Sequence, residues 1–241
     1  MASVAELSAP YGNLLLGPRP GRDVCRVCFN LTDGYDRCYA CAHGGRALDA
    51  VAPISYSVAG EQLHHVLATY KRRADAVSRR MGVELAAVLW RFLALHEGCL
   101  ATAAGTPAFT IVTTVPSSDR IHDDAHPLHA IAGELVAPVR GRHARLLRRT
   151  ESPVAAHAYS TEKFVADRDL AGEAVLVIDD TWTTGANAQS AAAALKAAGA
   201  ATVAAVVIGR HVNRAWHHND EQIRGLPQPF DWTHCAHCGD T

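Results

Sequence analysis

The chain has 241 residues, 49 % of them hydrophobic and 20 % charged, with a formal net charge of −1. That is enough apolar material for one sizeable core plus small appendages, and the near-zero charge excludes a global field that gathers DNA or a membrane surface. No stretch approaches about 18 uninterrupted apolar residues, and the first residues lack a charged segment followed by an apolar core; neither a membrane span nor a signal peptide is expected, and the expected location is cytoplasmic.

In chain order, the first feature is Cys25-x2-Cys28-x9-Cys38-x2-Cys41. Seven cysteines in a cytoplasmic chain argue for metal or free thiols rather than disulfides. Two CxxC pairs this close supply four thiolates to one tetrahedral zinc, although the linker FNLTDGYDR is short for a zinc ribbon. Unrelated CxxC pairs, or a redox pair, are the alternative. A knuckle this short buries little apolar surface, so its order is expected to come from Zn²⁺, with a core separate from the rest of the chain.

A strand is predicted over 49–58, with Gly60 ending it. Helical periodicity follows over 61–71, where Leu63, Val66, Leu67 and Tyr70 share a face. It resumes over 74–96, where Leu85, Ala86, Leu89, Leu93 and Trp90 line up, with Lys71, Arg72 and Arg73 between the two helices. Cys99, at the helix end, reads as buried packing. A second strand is predicted over 109–115, stopped by Pro116-Ser117-Ser118. A helix over 127–137 follows, with Pro127 at its first position and Pro138 just past its end.

The segment 140–149 is basic. Arg140, Arg142, Arg145, Arg148 and Arg149 with His143 could track a nucleic-acid backbone, while Leu146 and Leu147 argue for an edge packed on the core. The span 148–169 is long, polar and without period, as functional lids and disordered loops are. Residues 209–241 have no clean period and read as a tail. It holds a third CxxC, Cys235 and Cys238, with His234, His237, His217 and His218 near in sequence; a second metal site, adventitious binding and a frayed terminus all remain open.

The stretch AVLVIDDTWTTGAN, 174–187, carries the most information. Five apolar residues suit a parallel strand buried on both faces. The Ala-rich run 188–198 is helix-forming, Gly199 is a natural stop, and a second β run covers 202–208. The product is a βαβ unit with a right-handed crossover. Its loop lies at the carboxyl end of a strand and the amino end of a helix, where α/β proteins bind anions. Thr181, Thr183 and Thr184 offer hydroxyls, and Gly185 permits close backbone approach; with Ala186 and Asn187 at the helix start they form a cradle for one phosphate. Asp179 and Asp180 would repel that phosphate, but can accept hydrogen bonds from vicinal hydroxyls one sugar-length away. A ribose 5-phosphate satisfies both ends. Neither GxxxxGK[ST] nor GxGxxG after a strand is present.

IDDTWTTGAN resembles the phosphoribosyl-pyrophosphate (PRPP) loop of type I phosphoribosyltransferases. The resemblance implies an acidic pair on the ribose hydroxyls and a Thr/Gly segment on the 5′-phosphate. It also implies pyrophosphate held after an earlier core strand, by Thr114, Val115, Pro116, Ser117 and Ser118, and a flexible loop over the reaction, for which Lys163 and Arg149 are the candidate cations. The set of a four-cysteine knuckle, a segment ending in YKR, a VPSS loop and DDTWTTGAN is similar to the ComF-type phosphoribosyltransferase-like proteins associated with competence and DNA uptake. It covers most of 25–208, strongly at the PRPP loop. One departure is plain: where that family tends to carry Arg-Gly-Phe-Asn-Gln, this chain reads DDAHPLHAIA.

The expected fold is therefore α/β, a type I phosphoribosyltransferase-like parallel sheet flanked by helices, with an N-terminal zinc knuckle over 1–47, the main domain over 48–208 and a tail over 209–241. The function implied is transfer of phosphoribosyl from PRPP to an unidentified nitrogenous acceptor, a step in nucleotide metabolism. Mg²⁺ would accompany PRPP, structural Zn²⁺ would sit in the knuckle, and a homo-oligomer without membrane partners is expected. The alternative is a non-catalytic protein that binds a phosphoribosyl ligand or serves nucleic-acid uptake machinery.

Overall fold

The computed structural model describes residues 2–72, 75–117, 123, 126–155 and 157–238. Four parallel strands, β1 (Ala50–Val58), β2 (Ile111–Thr114), β5 (Ala174–Trp182) and β6 (Thr202–Val212), form one sheet in the order β1-β6-β5-β2. A separate antiparallel pair joins β3 (Leu147–Arg149) to β4 (Phe164–Ala166). The central strands are buried on both faces, as their unbroken apolar runs require. Leu176, Ile178, Ala204, Val206 and Ile208 enter one core; Val175, Val177, Val203, Ala205 and Val207 enter the other.

The first core is covered by α3 (Gln62–Thr69) and α4 (Ala76–Ala103), the second by α7 (Ala186–Ala197). Asp75 caps α4 by accepting from the Ser78 amide, at 2.8 Å. With 28 residues, 18 of them in a stretch of mean hydropathy 1.2, α4 is long and apolar enough for a membrane span by composition alone. Its apolar face, with Leu85, Leu89, Phe92 and Leu93, is packed in the core.

The βαβ unit over β5, α7 and β6 forms as the sequence predicts, with Ala174 opposite Thr202 and Asp179 opposite Val207. The chain leaves β2 toward the first core, through Leu128 and Ile131, and leaves β5 toward the second, through α7. Adjacent strands whose connections depart to opposite faces leave a crevice at their carboxyl ends.

Several expected elements differ. α4 runs to Ala103, seven residues past the predicted end at 96; Gly98 does not stop it, and Leu100 and Ala101 beyond it are buried in the core. The single helix predicted over 127–137 is broken into α5 (Pro127–Ala130), a π turn (Ile131–Leu135) and α6 (Ala137–Arg140). Pro138 lies in the first turn of α6, where its missing N–H costs nothing, rather than past a helix end. Residues 209–241 are not a loose tail over their described part. β6 continues through Arg210 to Val212, α8 (Asn219–Arg224) follows, and Phe230 and Trp232 pack on the α4 core.

β1 is an edge strand, a liability that covering segments remove. The Tyr56 amide donates to the Leu16 carbonyl, and the Leu16 amide to the Ser55 hydroxyl, both at 2.8 Å.

The cysteine knuckle also differs from its expected separate core. Cys25, Cys28, Cys38 and Cys41 are buried in the α7-side core with Val51, Val177 and Val207. Tyr56 donates its hydroxyl to the Phe29 carbonyl at 2.7 Å, tying knuckle to sheet. The basic segment is likewise drawn into the fold. Arg142 makes a two-pronged pair with Glu97 at 2.8 and 2.9 Å, Arg148 pairs with Asp167, and Leu146 and Leu147 are buried.

Candidate functional site

The crevice at the ends of β2 and β5 is a cleft of about 1300 Å³. Its wall includes Asp179, Asp180, Thr181 and 183–188 from the β5–α7 loop, Val115 to Ser117 from β2, Tyr70 to Arg72 from the end of α3, and His126 and His157. Residues some 110 positions apart in sequence thus meet at one acidic pair.

Asp180 is buried at 5 % exposure, with both partners supplied by the segment after α3. The Tyr70 hydroxyl donates to Asp180 Oδ2 at 2.6 Å, and Lys71 Nζ lies 2.8 Å from the same oxygen. Burial, with the Asp180 charge adding to it, pushes the Tyr70 phenol well above its ordinary value, so it remains a donor. Asp179 is half-buried and accepts the Asp180 amide at 2.9 Å. Burial, then the charge of Asp180, push the Asp179 carboxyl up to about 7 from its ordinary 3.8, against the pull of Lys71. Burial also lowers His126, which leaves a neutral imidazole facing the pair at neutral pH.

A carboxyl raised in the folded state destabilises the fold once ionised. Stability should therefore fall as pH rises from about 4 through 7. Asp179→Asn keeps an acceptor for the Asp180 amide and removes the charge. We expect it to melt several degrees higher than the parent at pH 8, with the gap closing by pH 5. A variant equally destabilised at both pH values in thermal denaturation would contradict this origin.

The phosphate cradle owes its shape to Gly185 and Trp182. Gly185 has φ of +81° at the helix N-cap, and a Cβ there would overlap the Trp182 ring. Trp182 is 1 % exposed beneath the loop. The Ala186 amide donates to Thr184 Oγ1 at 3.3 Å, and Thr184 donates to the His157 carbonyl at 3.4 Å. The Asn187 side-chain oxygen is buried with no partner among the described residues.

Arg210 supports the loop from below. It is 3 % exposed and donates to the carbonyls of Trp182 and Thr183 at 3.1 and 3.0 Å. Its other nitrogen lies 3.6 Å from Cys28 Sγ, so one guanidinium joins the cysteine cluster to the phosphate loop. Cys28 and Cys38 Sγ are 3.6 Å apart, and all four sulfurs lie within 4.8 Å of one another. A tetrahedral zinc with Zn–S of about 2.3 Å sets sulfurs roughly 3.8 Å apart, so this cluster could bind a metal such as zinc.

The structure brings together Asp179, Asp180, Thr181, Thr183, Thr184, Gly185, Ala186, Asn187, Val115, Pro116 and Ser117 around the cleft. Thr114 is buried beside it, its hydroxyl 2.6 Å from His129 Nδ1. Ser118 lies outside the described residues, as does Arg73. The Ser117 amide donates to Asp123 at 2.5 Å. The two expected lid cations lie elsewhere: Lys163 is buried with Nζ 3.2 Å from the Ala158 carbonyl, and Arg149 sits over the Phe164 ring. Nothing in the sequence placed Tyr70, Lys71, His126 or Arg210 at the cleft: Tyr70 reads as part of a packed helix face, and Lys71 as part of the link to the next helix. No local pattern pairs Lys71 with Asp180, and Arg210 lay beyond the expected end of its strand. No protein-family model and no curated protein matches the chain.

Proposed function

We propose that the cleft holds the phosphoribosyl group of PRPP or of a nucleotide, within a type I phosphoribosyltransferase fold. On this reading the chain is a phosphoribosyltransferase that moves the group to a nitrogen acceptor and releases pyrophosphate. One observation carries the reading. An acidic pair and an open helix amino end, five residues apart, border the same cleft at the carboxyl end of a central strand.

The anionic phosphate would sit on the amides and hydroxyls of 181–187, where the α7 dipole favours negative charge. Asp179 would accept from the ribose hydroxyls, and Asp180, held by Tyr70 and Lys71, would fix the position of its neighbour. The bond from the anomeric carbon to the pyrophosphate oxygen breaks as the bond to nitrogen forms. Positive charge developing on the sugar is stabilised by the nearby carboxylates. Val115 to Ser117 and the cationic Lys71 and Arg72 border the side open to pyrophosphate. Mg²⁺, when bound, would neutralise that leaving group, with Asp179, which lines the cleft, as the carboxylate placed to meet its hydration shell.

A non-catalytic ligand-binding or DNA-uptake role is favoured by a different observation. Lys163 and Arg149, the cations expected to close over pyrophosphate, do not line the cleft. Calorimetry with PRPP and Mg²⁺, followed by a pyrophosphate-release assay with nitrogenous bases, separates the two readings. Binding with release supports transfer, and binding without release supports the second role. Absence of binding by PRPP, ribose 5-phosphate and nucleoside monophosphates would overturn both transfer and phosphoribosyl binding.

Two variants sharpen the assignment. Asp179→Asn with Asp180→Asn should weaken ribose 5-phosphate about 10- to 100-fold, the worth of hydrogen bonds to a charged group, and leave inorganic phosphate within about threefold. Thr184→Val should weaken both ligands alike. The same loss for both ligands in the Asp double variant would mean that the carboxylates do not face a sugar.

A further inference from the structure

The extra turns of α4 place His96 and Cys99 on one face, and the segment after α8 returns to meet them. His96 Nε2 lies 2.9 Å from the Trp232 carbonyl, which can only accept. That bond assigns the ring proton to Nε2 and leaves the lone pair on Nδ1. Nδ1 points at Cys238 Sγ, 3.2 Å away. Cys238 Sγ in turn lies 3.2 Å from Cys235 Sγ and 3.3 Å from Cys99 Sγ. All four ligand atoms fall within 4.8 Å of one another.

The sulfur separations are far beyond the roughly 2.05 Å of a disulfide, and an outward shift of about half an ångström brings them to the roughly 3.8 Å of a shared tetrahedral zinc. The His237 amide donates to Cys235 Sγ at 3.4 Å, a contact that favours a thiolate. The carbonyl behind His96 is the outer partner that orients a ligating imidazole. The histidines nearest in sequence are engaged otherwise. His237 Nε2 bonds to the Val51 carbonyl at 2.9 Å, His234 pairs with Asp231, and His217 with Asp33.

We propose that His96, Cys99, Cys235 and Cys238 bind a second zinc, which fastens the segment after β6 to α4. Through His237 the same staple covers the open edge of β1, and the His237 ring meets Phe29 of the first knuckle edge-on at 5.3 Å between centroids. Among the described residues the two candidate metal clusters thus sit on opposite faces of the sheet, and residues that flank them, Phe29 and His237, meet around its β1 edge. The site does not depend on what the cleft binds.

Native mass spectrometry of the purified full chain should show two zinc ions. Cys238→Ser, a change in the returning segment, should lose one and keep the other. In the native protein, Cys99, Cys235 and Cys238 should resist alkylation, and become reactive as a chelator withdraws the second zinc. This arm decides the matter even if the variant does not accumulate. One zinc per native chain, unhindered alkylation of these three thiols, or a disulfide among them would each overturn the proposal.

Discussion

Gly185→Ala should abolish binding of phosphorylated ligands to the cleft and lower the melting temperature by roughly 5–15 °C. Two effects add. A φ of +81° costs a non-glycine residue about 1–2 kcal/mol. The new Cβ would also overlap the ring of Trp182, which is 1 % exposed and cannot move aside. Overpacking of this kind costs about 1–3 kcal/mol. The sum is a sizeable share of a total stability of about 5–15 kcal/mol, and it falls where the amides of α7 must be held open. Gly60→Ala is the control. Its φ is +83° but nothing lies within 4 Å of the added Cβ. That variant should lose about 1 kcal/mol and keep full ligand affinity. Calorimetry with ribose 5-phosphate and thermal denaturation read both variants. Parental affinity in Gly185→Ala would remove the loop from the proposed phosphate site.

Cys25→Ser with Cys28→Ser should cost the whole fold, not the knuckle alone. An independent zinc knuckle would be lost locally, with the phosphate loop still competent. The buried sulfurs instead share a core with α7 and the central strands, and Arg210 runs from Cys28 to the carbonyls of Trp182 and Thr183. Structural zinc contributes about 10 kcal/mol or more to folding in small metal-bound units, comparable with the stability of a domain. Without the cluster the guanidinium keeps its charge in a buried site and loses its sulfur partner. Zinc content, far-UV circular dichroism and ribose 5-phosphate binding should fall together. Retained cooperative unfolding and unchanged affinity in the zinc-free variant would show that the knuckle is separable after all.

The local features were legible in the sequence because each rests on adjacent residues. The unbroken apolar run before Asp179 made a strand buried on both faces, the Ala-rich run made α7, and Gly185 marked the one backbone conformation the loop needs. The paired CxxC spacing marked the four-cysteine cluster, since ligands a few residues apart converge whatever the surrounding fold does. Breaks within helices were harder. The π turn at 131–135 packs against α4, and Pro138, read in the sequence as a stop past a helix end, instead sits in the first turn of the restart at Ala137.

Tertiary structure alone decided which distant groups meet. Tyr70 and Lys71 follow α3 and reach Asp180 only because β1 and β5 flank β6 and α3 lies across that face. The returning segment had no period to read, because its order comes from Trp232 and His237 bonding to elements far behind it. Cys235 and Cys238 find Cys99 and His96 for the same reason, and not the histidines beside them. Sequence spacing specifies contacts that the backbone's own geometry enforces within a turn or two. Contacts across a sheet are fixed by strand order and by which face each connection covers, and neither is written in any local run of residues.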